Sequence, residues 1–387
     1  MDLSISPELT GLQARTAAFV RDVVIPLEQR DLDPGHGPAP ELRRELQAAA
    51  RAAGLFAPHV GTELGGLGLD MRGQAIVFEE AGQSLLGPLA LNCAAPDEGN
   101  MAMLEKIASA EQAERYLAPL AAGDVRSAFA MTEPAPGAGS DPSMLRTTAR
   151  RADGGWRISG EKWFITGGEG AAFAIVMART SEKGATMFLV DADAEGYAVT
   201  ESLDTIDRVS PGGHARIVLS DVLVGDEQVL GGVDEGFRYA QVRLAPARLT
   251  HCMRWLGLAR RALDIAVARA TERTAFGSRL ADLGLAQRLI ADSVIDLETS
   301  RAIVHRTAWV LDSGQGNPTH ASSIAKVHVS EAVGRIVDNA VQLCGAEGVL
   351  EHPLGRMLAE VRPFRIYDGS NETHRWSIAR RVAAGRA

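Results

Sequence analysis

The chain has 387 residues, 46% of them apolar and 5% aromatic, with 40 Lys and Arg against 49 Asp and Glu for a net charge of −9. That length exceeds one typical hydrophobic core and predicts two or three subdomains, while the acidic balance and the lack of a long basic run argue against a nucleic-acid partner. Cys93, Cys252 and Cys344 stand far apart and outside any CxxC pair, so they suggest neither a disulfide framework nor a metal site and read as free, mostly buried thiols. The opening Met1-Asp2-Leu3-Ser4 lacks the basic start and apolar block of a secretory signal. No stretch approaches the ~20 apolar residues that span a bilayer, and the expectation is a soluble cytoplasmic protein.

From Pro7 to about Val125 the apolar period is helical. Leu9, Leu12, Ala17 and Val20 recur at helical spacing, Leu42, Leu46, Ala49 and Ala53 do so again, and Gly54 stops that second run as a C-terminal glycine does. Gly65-Gly66-Leu67-Gly68 has no preceding strand and no nucleotide-loop spacing, so it reads as a connection between helices. Residues 1–125 are therefore an N-terminal α-helical domain. Between about Arg126 and Leu230 the period falls to two, in short runs at Ser127–Thr132, Leu145–Arg151, Trp156–Ser159, Lys162–Thr166, Ala172–Arg179, Thr186–Asp191 and Ala215–Leu219, and Asp153-Gly154-Gly155 is a hairpin signal. Residues 126–232 read as an inserted antiparallel β domain, a sandwich or barrel. Leu249, Met253, Leu256, Leu263 and Val267 then trace a helical stripe, followed by helices from about Leu283 to Leu311, Ala321 to Leu343, and after Gly369. Long helices on short loops make residues 233–387 a C-terminal four-helix bundle. The fold class is mainly α with an inserted β domain.

Three stretches carry polar chemistry. Phe129-Ala130-Met131-Thr132-Glu133-Pro134-Ala135-Pro136-Gly137-Ala138-Gly139-Ser140-Asp141 is a strand ending in Thr and a Pro/Gly loop ending in Gly-Ser, which suits the polar edge of a heteroaromatic ring or a phosphate; a plain hairpin loop has the same signature. Glu161-Lys162-Trp163-Phe164-Ile165-Thr166 offers aromatic faces and one hydroxyl tip, or simply a core strand. Tyr367-Asp368-Gly369 sets a carboxylate between an aromatic ring and a residue that permits a sharp turn, as a general base requires, though an Asp-Gly turn before a capped helix reads the same way.

The order of these stretches, with Arg273-Thr274-Ala275-Phe276-Gly277 and Gln342-Leu343-Cys344-Gly345-Ala346 between the second and the third, resembles the acyl-CoA dehydrogenase family over essentially the whole chain. The resemblance implies an FAD enzyme that converts an acyl-CoA thioester to the trans-2-enoyl-CoA. Asp368 then takes the α-proton, flavin N5 takes the β-hydride, and an electron-transfer flavoprotein accepts the electrons. By the same resemblance Phe129, Met131, Thr132, Gly139, Ser140, Phe164 and Thr166 contact FAD, joined by Ser370 and Glu372. Arg273, Phe276, Gln342, Gly345 and Ala346 match residues that reach the FAD of a neighbouring subunit, which implies a homodimer or homotetramer. Ser140, Arg248, Tyr367 and Gly369 match substrate contacts, and no metal is implied.

The chain departs from the family pattern at four places. Most members have Glu where this chain has Asp368, a change shared with a subgroup of acyl-CoA dehydrogenases and with the nitroalkane oxidases. Ala135 and Pro136 lengthen the Thr-Glu-Pro loop, Gly284 replaces a frequent Gln, and Ala359-Glu360 replace Arg-Asp. Two alternatives follow: a flavin oxidase of the same fold, and a non-catalytic acyl-CoA-binding relative.

Overall fold

The computed structural model describes residues 4–29, 32–33 and 37–385; Met1–Leu3, on which the reading of the N-terminus leans, lie outside them. Two compact units emerge, one of Met1–Gln29, Leu69–Pro88 and Arg248–Ala387, the other of Arg30–Gly68 and Leu89–Ala247.

The second unit contains helices α2 (Pro40–Ala52) and α4 (Asp97–Ile107) and an eight-stranded sheet. Gly54 follows α2 with φ +66°, the left-handed conformation that the sequence suggests for a helix stop. The strands are β1 (Ser127–Ala130), β2 (Thr148–Ala152), β3 (Gly155–Thr166), β4 (Phe173–Arg179), β5 (Ala185–Asp191), β6 (Tyr197–Leu203), β7 (His214–Val224) and β8 (Val229–Leu230). Their order is β8-β5-β4-β2-β3-β7-β6, with β1 beside β4. The Asp153-Gly154 hairpin forms as the sequence predicts, Ala152 facing Gly155. Most pairings are antiparallel, but β1 runs parallel to β4 and Thr148 makes a single parallel bridge to Arg179. Trp156, Ile158, Ile165, Phe188, Ile217, Leu219 and Val222 form the core against the sheet. The two separate runs that the sequence suggests, Trp156–Ser159 and Lys162–Thr166, are one strand, β3, broken by register shifts between Ile158 and Gly160 and between Lys162 and Ile165. Such a bulge re-aims side chains, and here it turns Phe164 outward with φ +54°.

The first unit is helical: α1 (Pro7–Phe19), α3 (Met71–Ala81), α6 (Gly284–Ser313), α7 (Pro318–Cys344) and α8 (Asn371–Ala383), with α5 (Gly236–Glu272) entering at Arg248. Ser6, Asp70, Asn317 and Ser370 cap α1, α3, α7 and α8 with side-chain oxygens, satisfying backbone N–H groups that a helix start leaves unpaired. The predicted stripe on α5 is buried at Leu249, Met253, Leu256 and Leu263, each contributing roughly 1.5–3 kcal/mol of burial. Helices α3 and α5 approach so closely that a Cβ on Gly257 would sit 1.9 Å from the Glu79 carbonyl oxygen. Helix α7 packs on α6 and α8, and α3 on α1 and α6. Among the described residues no helix is long and apolar enough to cross a membrane, and all three cysteines are buried and free.

Candidate active site

Asp368 precedes α8 at the end of a tight turn in which Pro363 accepts hydrogen bonds from the N–H groups of Ile366 and Tyr367. Its φ is +52°, a conformation that costs a non-glycine residue energy and persists only where surroundings enforce it. Those surroundings are explicit. The Asp368 carbonyl oxygen accepts from Arg248 Nε at 2.9 Å and lies 3.1 Å from His374 Nε2. The next carbonyl, of Gly369, accepts from Lys326 Nζ at 2.8 Å. A Cβ on Gly369 would come within 2.8 Å of His374 Nε2, and its φ is +91°, so glycine is required there on both counts. Lys326 also donates to Asn371 Oδ1 at 2.8 Å, and Asn371 donates to Ser330 and Glu331. The backbone around the acid is thus held by donors from α5, α7 and α8.

The carboxylate itself faces His251, whose Nε2 is 3.3 Å from Asp368 Oδ2; the two side chains are 13% and 18% exposed. His251 lies one turn beyond Arg248 on α5, so both meet the same loop. Its ring is tilted by 50° at 4.8 Å from Tyr367, which stands 5.6 Å from Phe364 and accepts a hydrogen bond from Trp255 Nε1. The acid thus stands beside a histidine and two aromatic rings, with Arg248 and Lys326 on the adjoining backbone. Burial lowers the affinity of Arg248 for its proton, the charge of Asp368 opposing, and lowers Lys326 to about 8. Cys252, beneath the loop, is pushed up by burial to about 12, so its thiol remains protonated and is a poor nucleophile.

His374 is a marker of this dry pocket. A carbonyl only accepts, so Nε2 carries the ring hydrogen and Nδ1, 3.0 Å from Ser323 Oγ, accepts from that hydroxyl. Burial, with the positive charges of Arg248 and Lys326, holds His374 down at about 4. Between about pH 6.5 and 4 the unfolded chain binds a proton there that the folded chain refuses, so this contribution to stability is complete above about 6.5 and is lost as pH falls toward 4. Urea titrations from pH 7 to 4.5 should therefore show the wild type losing roughly 2–3 kcal/mol more than His374→Gln. Coinciding slopes would contradict a neutral, buried His374.

In the sheet unit, the two stretches singled out from sequence meet. Thr132 Oγ1 donates to the Trp163 carbonyl at 2.6 Å, and the Trp163 N–H returns a bond to the Thr132 carbonyl at 3.0 Å. Beside this stitch Phe164 is 48% exposed, with Trp163 edge-on to it at 4.7 Å. Thr166, at the end of β3, faces His214. Gly139 and Ser140 are exposed, and a Cβ on Gly139 would meet nothing within 4 Å. Met131 and Phe129 are half-buried, and the Arg243 guanidinium lies 4.1 Å over the Phe129 ring. An outward aromatic face, hydroxyls at one rim and an open Gly-Ser loop fit a planar heteroaromatic with a phosphate tail, as in FAD. Within the same sheet lies a buried ion pair: Lys162 Nζ donates to Glu133 Oε1 at 3.0 Å, with side chains 0% and 2% exposed.

The remaining predicted residues lie on the first unit's surface. Arg273 follows α5, and Phe276 tips a two-residue hairpin with φ +52° and 95% exposure. Gln342, Gly345 and Ala346, at the end of α7, are exposed, as is Glu372, whereas Ser370 caps α8 through the Thr373 N–H. Gly284, exposed, starts α6, while Glu360 is buried. Seven non-glycine residues have positive φ among the described residues, and Phe164, Phe276 and Asp368 are three of them. His251, Lys326, His374 and His214 were not anticipated; the three-residue spacing of Arg248 and His251 on one helix face was the available signal for the first.

Family models for the acyl-CoA dehydrogenase N-terminal, middle and C-terminal domains match residues 6–124, 128–222 and 234–383. A relative from Mycobacterium tuberculosis, the probable acyl-CoA dehydrogenase FadE2, is 35% identical over 98% of this chain and 96% of its own length. A solved putative acyl-CoA dehydrogenase from Mycobacterium abscessus superposes with a TM-score of 0.93 at 35% identity, covering all of both chains. PigA, solved with FAD and proline, superposes with a TM-score of 0.88 at 25% identity over 99% of both chains.

Proposed function

This chain belongs to the acyl-CoA dehydrogenase family, a family of FAD-dependent oxidoreductases, and on that premise we propose that it converts an acyl-CoA thioester to the trans-2-enoyl-CoA with Asp368 as the base. The observation that carries this reading is the Asp368 loop: a left-handed acid whose own carbonyl and the next are tied to Arg248, His374 and Lys326. A sparsely populated backbone conformation enforced by three separate donors is the kind of strain that clusters at active sites.

In the proposed reaction the Asp368 carboxylate removes the α-proton, and exclusion of water by the bound acyl chain raises its basicity at that moment. Arg248 and Lys326 keep the loop from recoiling when the carboxylate becomes neutral, and their nearby charges compensate the negative charge before transfer. Tyr367 and Gly369 line the thioester end, with the Asp368 N–H proposed to bind the developing oxyanion. Bound FAD supplies the acceptor for the β-hydride. Phe164, Thr166, Thr132, Met131 and Phe129 would hold its ring system, Gly139 and Ser140 its phosphates, with Ser370 and Glu372 contributing from the loop that follows the base. Arg273, Phe276, Gln342, Gly345 and Ala346 would reach the cofactor of a second copy in a homodimer or homotetramer. Support for that role is the outward Phe276, an apolar ring on a hairpin tip that gains from burial only against another molecule. An electron-transfer flavoprotein is the proposed electron acceptor.

Anaerobic titration of the yellow protein with short, long, branched, aromatic and hydroxylated acyl-CoAs tests the reading. Bleaching by at least one class is expected. Rapid peroxide formation in air would favour the oxidase suggested by the Asp at position 368, and a colourless preparation that takes up no FAD would favour a non-catalytic binder.

A further inference from the structure

Across the β3–β7 ladder Thr166 is paired with His214, and Thr166 Oγ1 lies 3.0 Å from His214 Nδ1. On the opposite side of the ring, His214 Nε2 is 2.9 Å from Asp207 Oδ2. The His214 and Asp207 side chains are 12% and 15% exposed, and the exposed Phe164 ring stands 6.1 Å from the imidazole. Burial raises the Asp207 carboxyl, but hydrogen bonds from His214 and Thr205 outweigh it and hold the group below the usual carboxylate range. Asp207 is therefore an anion and can only accept.

The direction of each hydrogen follows. When the ring carries a single hydrogen, Asp207 draws it to His214 Nε2, which leaves Nδ1 with a lone pair. The only hydrogen available for the Thr166–His214 contact is that of the hydroxyl, so Thr166 donates to His214. Its oxygen then presents lone pairs alone to any further partner. A Thr hydroxyl without such a neighbour rotates to suit donor or acceptor; here the rotation is fixed from behind.

Two-electron reduction converts hydrogen-bond-accepting ring nitrogens of a flavin into N–H donors. We propose that His214, oriented by Asp207, makes Thr166 an obligate acceptor toward FAD and so favours the reduced over the oxidised cofactor. The proposal rests on the reading that the flavin lies against Thr166. His214 is thus a positioning residue that acts through Thr166 and touches neither substrate nor the reacting atoms.

The test is the equilibrium reduction potential of FAD in the holoenzyme, measured against redox dyes. His214→Leu removes the acceptor, frees the Thr166 hydroxyl to donate to oxidised flavin, and should lower the preference for the reduced form about tenfold, about 30 mV for a two-electron couple. Asp207→Asn should act in the same direction, because an amide N–H can donate to Nε2 and send the ring hydrogen to Nδ1. His214→Asn, whose amide oxygen can take the place of Nδ1, should restore most of the potential, and it remains informative if the leucine variant fails to fold. In a Thr166→Val background the potential should ignore His214→Leu. An unmoved potential in FAD-loaded His214→Leu or Asp207→Asn, or a shift that persists in the valine background, overturns the proposal while leaving the enzyme reading intact. A wild-type chain that binds no FAD overturns both.

Discussion

Asp368→Asn is expected to keep its FAD and to lose acyl-CoA-dependent bleaching by roughly 10²–10⁴-fold, the contribution of a positioned base. The substitution is close to isosteric, and Asn accepts positive φ as readily as Asp, so the turn has no reason to change. The tethers also survive, because Arg248, His374 and Lys326 hold the backbone carbonyls of Asp368 and Gly369, which the substitution leaves in place. What disappears is the capacity to take up a proton. Asp368→Glu is the instructive companion: it restores the acid but displaces it by about 1.5 Å, and errors near 1 Å cost about a hundredfold. Stopped-flow bleaching under anaerobic conditions reads both. Residual turnover within tenfold of wild type in the asparagine variant would move the base elsewhere, with His251, 3.3 Å from the carboxylate, the first residue to examine.

The second large effect is on stability. Lys162→Met should lower the unfolding free energy by roughly 3–5 kcal/mol, as expected when one partner of a buried ion pair is removed. Glu133 keeps backbone N–H bonds from Arg146 at 2.7 Å, Thr147 at 2.8 Å and Ala138 at 3.2 Å, but its charge loses the buried cation paired with it. Although burial opposes ionisation, Lys162 and these N–H donors hold Glu133 down at about 2, so the pair persists well into acid. Burial lowers Lys162 to about 8 despite the attraction of Glu133, a measure of how dry the position is. The double variant Glu133→Gln/Lys162→Met should recover part of the loss, because no uncompensated charge remains. Urea denaturation compares the three; a loss below about 1 kcal/mol in Lys162→Met would mean that water reaches the pair. Since Glu133 also anchors Ala138, just before Gly139 and Ser140, FAD affinity should fall along with stability.

Local chemistry was legible along the chain wherever one residue determines it. Gly54 stops its helix with φ +66°, Asp153-Gly154 makes its hairpin, and Asp368-Gly369 makes its turn. The helical stripe from Leu249 to Leu263 is buried as its spacing implies. Strand β6 (Tyr197–Leu203) has no alternating signature, because its side chains are exposed or half-buried along the whole strand. The parallel course of β1 beside β4 has no local signature, since parallel neighbours are joined through distant chain. The support of the site was hidden for the same reason: Arg248 is 120 residues from Asp368, and Lys326 is 43 from Gly369. A lysine within an amphipathic helix reads as solvated until the fold shows it with no exposure at all. The bulge that exposes Phe164 was invisible because a slip of register leaves composition unchanged.

The left-handed turn at Asp368 also sets two kinds of selection against each other. A glycine there would relax the backbone, relieve the carboxylate of its place among aromatic rings, and abolish the proposed chemistry. Improvement of this protein by screening for heat resistance alone would drift toward that substitution, so any such search must score turnover alongside endurance.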